Sequence, residues 1–242
     1  MIDVHCHFDM AENPIKYISD NEKMKIITIG MTNLPSHFKL GIQHVYEYKY
    51  IRLALGLHPL RASDHKMEYP TFKQYVDKTS YIGEVGLDFS PEGFSTKEIQ
   101  IKSFEFVLEC IQGKKKIISL HSRRAEREVL EMILNHHVDA AIFHWYSGSM
   151  GVLNKIISSG FFLSINTAML GSENGRKIIA RIPPELILTE TDYPFIEKPD
   201  IKLVFDYLSK LWAITDTEVE AIIYNNFIRL LSKIKPVTNA PS

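Results

Sequence analysis

Short apolar runs alternate with amphipathic stretches along the whole chain. Residues 2–7, 25–30, 51–57, 81–85, 116–120, 140–143, 161–165 and 186–189 are apolar, β-rich and short enough for strands. Between them, residues 13–21, 34–48, 69–78, 124–136, 151–159 and 173–181 carry helical spacing. Ser95-Thr96-Lys97-Glu98 has the form of a capping box, and behind it Ile101, Phe104, Leu108 and Ile111 share one helical face. In the helix expected over 124–136, Ala125, Val129 and Ile133 form the buried stripe. Two more helices are expected at the end, over 201–212 and after a second capping box, Thr215-Asp216-Thr217-Glu218. Eight β runs, each followed by a helix-like stretch over roughly 250 residues, predict an α/β protein with a (β/α)8 barrel. An open doubly wound sheet shares this alternation. The barrel is preferred because reactive residues end strands all around the order rather than at one crevice. One domain over 1–235 and a frayed polar tail over 236–242 are expected.

Composition narrows the class without naming a function. The 242 residues are 45% hydrophobic and 24% charged, ordinary for a globular protein. Two cysteines, Cys6 and Cys110, do not indicate a disulfide framework. Met1-Ile2-Asp3 enters the first apolar run directly, with neither a basic n-region nor an apolar h-region, so a cytoplasmic protein without membrane contact is expected. A net charge of −1 argues against a broad basic face for coating duplex nucleic acid. Any nucleic-acid contact is expected to be local, at an end or a short strand.

The chemistry gathers at the ends of the apolar runs. His5 and His7 stand two apart on the first, so their imidazoles share one side while Val4 and Cys6 face the other. Glu84 ends the fourth run, His121 the fifth and His144 the sixth, and Asp192 follows the eighth. In a barrel these ends converge on one face. Four histidines and two carboxylates exceed the needs of one metal and suit two ions about 4 Å apart, with Glu84 as the bridge. Two divalent ions are therefore expected, Zn²⁺, Mn²⁺ or Mg²⁺, with imidazole-rich coordination favouring the first two. His37, His44, His65, His136 and His137 end no strand and read as surface or helix-end residues.

These residues together resemble the TatD family of metal-dependent deoxyribonucleases. The resemblance lies in Asp3-Val4-His5-Cys6-His7-Phe8-Asp9, Gly56-Leu57-His58-Pro59, Gly83-Glu84-Val85-Gly86-Leu87-Asp88, His121-Ser122-Arg123, His144-Trp145-Tyr146-Ser147-Gly148, Glu190-Thr191-Asp192-Tyr193-Pro194 and Asn225-Asn226-Phe227-Ile228-Arg229-Leu230. It implies a barrel with one metal on His5, His7, Glu84 and Asp192 and another on Glu84, His121 and His144. The chain departs from the common pattern at Trp145-Tyr146, usually Cys-Phe, and at Tyr193, usually Ala or Ser. His121-Ser122-Arg123-Arg124-Ala125, His144 to Ser149 and Ser164 to Leu170 look like the TatD-type member of Qat anti-phage systems. That likeness implies bacterial defence beside Qat partner proteins; the family resemblance implies DNA as substrate, and the charge balance points to single strands or ends.

Roles follow from residue chemistry. Asp192 suits a metal ligand that also takes a proton from the attacking water, and Glu84 completes the catalytic pair. Asp88 can orient a histidine ligand, and Glu190 can support the site from behind. Arg123 can grip phosphate bidentately, or be a surface charge at a helix start. His58 can donate to phosphate or fill the rim. Trp145 and Tyr146 can stack on a splayed base, with buried packing favoured for Trp145. An amidohydrolase cleaving a C–N bond shares the barrel and His-x-His but commonly bridges its metals with a modified lysine, where this chain has Glu84. A metal-stabilised scaffold in a defence complex is the non-enzymatic alternative.

Overall fold

The computed structural model describes residues 1–196 and 199–234, so the tail expected over 236–242 lies outside the described residues. All strands pair in parallel. One group is β1 (Ile2–Cys6), β2 (Ile27–Gly30) and β3 (Ile51–Leu53). The other is β4 (Leu55–Leu57), β5 (Tyr81–Gly86), β6 (Ile117–His121), β7 (Ala141–His144), β8 (Phe162–Ile165) and β9 (Ile187–Thr189). The third apolar run is thus two short strands separated at Ala54. The break is bridged from the end of β2. The Ala54 amide donates to the Gly30 carbonyl at 2.8 Å, the Thr32 hydroxyl donates to the Ala54 carbonyl at 2.9 Å, and the Gly56 amide donates to the Thr32 hydroxyl at 3.0 Å.

The other seam joins the last strand to the first. The Asp192 amide donates to the His5 carbonyl at 2.9 Å and the His7 amide to the Tyr193 carbonyl at 2.6 Å. Buried Asp3 takes the Thr191 amide at 3.0 Å and the Thr191 hydroxyl at 2.6 Å. These bonds close a (β/α)8 barrel. They also lock the His5-His7 segment to the Asp192 turn, so residues nearly two hundred positions apart share one rim.

The wrapping helices are α1 (Pro14–Lys23), α2 (Pro35–Val45), α3 (His65–Tyr75), α4 (Lys97–Ile111), α5 (Glu126–Asn135), α6 (Met150–Ser158), the short α7 (Thr167–Gly171), α8 (Glu173–Arg181), α9 (Ile201–Trp212) and α10 (Asp216–Ser232). The short α7 carries no sequence signal long enough to be expected. Ala125, Val129 and Ile133 are fully buried, as their spacing predicts. The Thr215–Glu218 capping box forms in full. The one expected at Ser95 does not. Residues 94–96 make a 3-10 turn, and the Thr96 hydroxyl donates to the Gly93 carbonyl while accepting from Gln100. The helix starts one residue too late for the box, with Thr96 rather than Ser95 as N-cap, which puts Ile99 instead of Glu98 at N3. Buried Gln100 holds Thr96 there while also bonding the Gly93 carbonyl and the Asp88 amide.

Close strand approach at the rim depends on Gly86. Its φ is +135°, and a Cβ there would lie 2.0 Å from the His121 carbonyl oxygen. No side chain fits, so β5 and β6 draw together where Glu84 and His121 must meet.

At the opposite end of the elements, α10 is pinned to β9 by buried Asn226. Its amide donates to the carbonyls of Pro184 and Ile187, each at 2.8 Å. Asn226→Ala leaves both acceptors unpaired, and the expected loss is about 2–4 kcal/mol of unfolding free energy. A urea titration checks this; an unchanged midpoint would show that the two bonds contribute nothing net.

Candidate active site

Glu84 is the centre of the rim. It ends on the barrel axis side of β5, is 1% exposed, and faces five imidazoles. Its Oε2 lies 3.1 Å from His7 Nε2, 3.2 Å from His58 Nε2 and 3.5 Å from His5 Nε2. Its Oε1 lies 2.8 Å from His144 Nε2 and 2.5 Å from His121 Nδ1. Asp192 approaches the first group, with Oδ1 3.8 Å from His5 and 3.9 Å from His7. A left-handed backbone at Asp192, φ 47°, turns its carboxylate into the rim. Such a conformation is costly for a residue with a Cβ and is held here by the surrounding bonds.

Behind these groups lies a second set of hydrogen bonds. His5 Nδ1 meets the Ser119 hydroxyl at 2.8 Å, and His121 Nε2 meets Asp88 at 2.8 Å. Asp88 in turn accepts from the Ser90 amide at 2.8 Å. Glu190 is buried and accepts from the Ser164 hydroxyl and from Asn166 Nδ2, leaving Oε1 3.6 Å from His144 Nδ1. His65 Nε2 donates to the His58 carbonyl at 3.0 Å. His65 begins α3, the helix-end position expected, but its side chain is buried rather than at the surface. Its ring packs beneath the His58-Pro59 turn.

The electrostatics call for a cation. If His121 Nε2–H donates to Asp88, the lone pair of Nδ1 faces the lone pairs of Glu84, which only a proton or a metal can reconcile. Burial works against charge on His144 and His121, yet Glu84 outweighs it and holds both above the ordinary histidine value. Burial drives His5 the other way, down to about 4, with charged His144 stacked on it at 3.9 Å. If neutral His5 donates its Nδ1–H to Ser119, a free lone pair remains on Nε2, a buried atom without a hydrogen-bond partner among the described residues. His7 Nδ1 and His144 Nδ1 are likewise unpartnered. Burial pushes Asp192 up to about 7, with Glu84 and Glu190 adding repulsion against the relief from His144. Clustered acids, neutral imidazole and orphaned nitrogens fit a divalent ion. Three donor trios converge within 4.8 Å: His5, His144 and Asp192; His5, His7 and Glu84; His58, Glu84 and His121.

The rim opens into a cleft of about 580 Å³. Arg123, Trp145 and His58 line it. Arg123 is exposed, with Nη1 2.9 Å from Glu92, which also lines the cleft. His58 was expected only to touch substrate or fill the rim; its ring sits within the donor cluster itself. Tyr146 is corrected. It is 1% exposed, lies outside the cleft lining, and its hydroxyl donates to the Ser149 carbonyl at 2.7 Å. The left-handed Trp145, φ 38°, reverses the expected order by turning Trp145 to the cleft and Tyr146 into the core. Cys6 points away from the site and is buried near the Ile29 carbonyl. Ser119, His65, Gln100, Glu92 and Phe195 escaped sequence reasoning, because no local motif marks a residue that reaches the rim from a neighbouring strand or loop.

A family model for TatD related DNase matches residues 2–232. The chain belongs to the TatD-related DNase family. TatD-type proteins recur among its relatives. An uncharacterized metal-dependent hydrolase of Methanocaldococcus jannaschii is 28% identical over 249 residues, covering 96% of this chain and 97% of the relative. Deoxyribonuclease TATDN3 of Homo sapiens is 24% identical over 262 residues, covering 97% and 96%. The solved structure of the TatD homolog YJJV of Escherichia coli K12 superposes with a TM-score of 0.82 at 22% identity, covering 95% of this chain and 97% of that one. A TatD fold and a hydrolase acting on ester bonds follow from family membership, with candidate metal-binding clusters at the barrel rim.

Proposed function

We propose that this TatD-type hydrolase is a deoxyribonuclease that cleaves phosphodiester bonds at a binuclear metal centre. The observation that carries the reading is Glu84, whose two oxygens face different imidazole sets, His5 and His7 on one side and His121 and His144 on the other. One carboxylate so placed is suited to bridge two ions. His5, His7, Glu84 and Asp192 would hold the first, and Glu84, His121 and His144 the second; His58 stands next to both. Two bound divalent cations would supply Lewis acidity to the phosphoryl oxygen and lower the pKa of a water.

The chain's own residues supply the rest. Asp192 accepts the proton of the attacking water at the rim. Asp88 keeps the His121 ring oriented, and Glu190 does the same behind His144. Arg123 exchanges its exposed partner Glu92 for a substrate phosphate, since an exposed pair is worth only about 0–1 kcal/mol and phosphate offers a bidentate charged contact. The cleft has the scale of a small-ligand site, too small to enclose a duplex, and the chain has no net positive charge. Both favour single strands or ends of DNA. The stretches His121 to Ala125, His144 to Ser149 and Ser164 to Leu170 support a place in cytoplasmic anti-phage defence beside Qat partner proteins. An open cleft beside the donor cluster disfavours a purely structural metal.

Protein reconstituted with Mn²⁺ or Zn²⁺ is expected to hold two ions per chain by elemental analysis. A stable value of one, in folded protein with metal in excess, overturns the binuclear reading. Arg123→Ala is expected to lower kcat/KM on an oligonucleotide by about 1.5–3 kcal/mol, the value of a charged hydrogen bond, without changing metal content. Unaltered kinetics return Arg123 to a surface charge. Asp192→Asn is expected to cut the rate at least about 10²-fold at saturating metal, the reach of a general base. In cells, the same variant is expected to abolish any phage protection that the natural protein and its neighbours confer. Normal cleavage by Asp192→Asn removes Asp192 as the base; protection retained by a cleavage-dead variant separates the defence role from the chemistry.

A further inference from the structure

Phe195 is an apolar ring left in water at the mouth of a polar site. It is 55% exposed, lines the cleft, and sits three residues after Asp192. Its place is not accidental slack in a loop. The amides of Phe195 and Ile196 both donate to the Asp192 carbonyl, at 2.9 and 3.2 Å. On either side of it the turn is anchored inward, with Ile196 buried and Tyr193 stacked flat on Tyr17 at 4.9 Å. Phe195 alone of the three projects outward. Its ring meets His7 edge to face, with centroids 5.1 Å apart and planes at 83°. One side of the aromatic is therefore set by the donor cluster, and among the described residues the rest is open.

The cleft gives that ring a meaning. Its polar groups include buried Glu84, His144 and Asp192 and part-buried His121, Arg123 and Glu92 are exposed at its edge, and Trp145 and Leu60 add apolar lining. A phosphodiester gripped at the floor carries its sugar and base out past this lining. Stacking on an aromatic ring is tolerant of base identity, because every base has a π face. A base held inside a duplex has both faces occupied by its neighbours and cannot offer one.

We propose that Phe195 is the stacking platform for the nucleobase beside the scissile phosphate, and that it restricts the site to unpaired nucleotides. This rests on the nuclease reading above. The competing role is a hydrophobic shield over His7 that touches no substrate.

The two roles separate on a pair of single-stranded substrates, an ordinary deoxyoligonucleotide and a strand of the same length built from abasic tetrahydrofuran units. Phe195→Ala is expected to lower kcat/KM on the base-bearing strand about 5- to 150-fold, mainly through KM, the span of base–aromatic stacking. On the abasic strand it is expected to change nothing, and Phe195→Trp is expected to restore the base-bearing rate. In the metal-loaded, slow-cleaving Asp192→Asn background, a strand carrying 2-aminopurine is expected to lose fluorescence on binding and to keep it when Phe195→Ala is added. An equal loss on both strands assigns Phe195 to shielding His7 and overturns the platform. No loss on either strand overturns it as well. Failure of the natural protein to cleave either strand instead removes the nuclease reading, and the platform with it.

Discussion

Glu84 is a carboxylate almost without solvent, surrounded by five imidazole rings drawn from β1, β4's end, β6 and β7. Removing such a charge from water costs several kcal/mol unless partners return it. No single neighbour does so. The return comes from convergence, and only a closed ring of parallel strands brings those ends together. The Asp3–Thr191 bonds, the Gly86 approach and the Asp192 turn are all conditions for that convergence. With protons alone, the neighbouring carboxylates raise His144 against its burial while burial and His144 lower His5, so the two stacked rings are pushed in opposite directions. A divalent ion satisfies the same carboxylates without requiring two adjacent rings to differ.

Much of this is legible in the sequence. Strand periodicity of two places His5 and His7 on one side, and the alternation of apolar runs with helices places Glu84, His121, His144 and Asp192 at one end of one barrel. What was illegible depends on contacts across strands. His58 reads as a rim residue because its nearness to Glu84 comes from the β4–β5 register, not from Gly56-Leu57-His58-Pro59 itself. Ser119 looks like an ordinary strand serine, and His65 like a helix-start surface residue, until the barrel puts them behind His5 and His58. Trp145 and Tyr146 exchange places because one left-handed residue inverts the direction of both side chains, and nothing in a Trp-Tyr pair announces φ 38°. The capping box at Ser95 fails because the helix begins one residue later, at Lys97 with Thr96 as N-cap, where Thr96 is tied by buried Gln100 to the loop under Asp88, and no local pattern marks that shift.

The rim thus has two layers with different rigidity. The inner layer is buried and tied, each imidazole fixed by a hydrogen bond or a stacked neighbour. The outer layer, with Arg123, Glu92 and Phe195, is exposed. Yet it is not free. The Phe89 amide donates to the Arg123 carbonyl at 2.9 Å, which ties the backbone of the loop bearing Glu92 to the turn bearing Arg123. That separation matters for a polyanionic substrate. With a net charge of −1 and Glu92 at the mouth, the chain has little long-range field to draw in nucleic acid. On the nuclease reading proposed above, affinity arises at contact, from charge at the floor, from Arg123 exchanging Glu92 for a phosphate, and from apolar lining above. Contacts of that range act on one or two nucleotides at a time. On that reading they favour a strand end or an unpaired segment that can enter the cleft over an intact duplex.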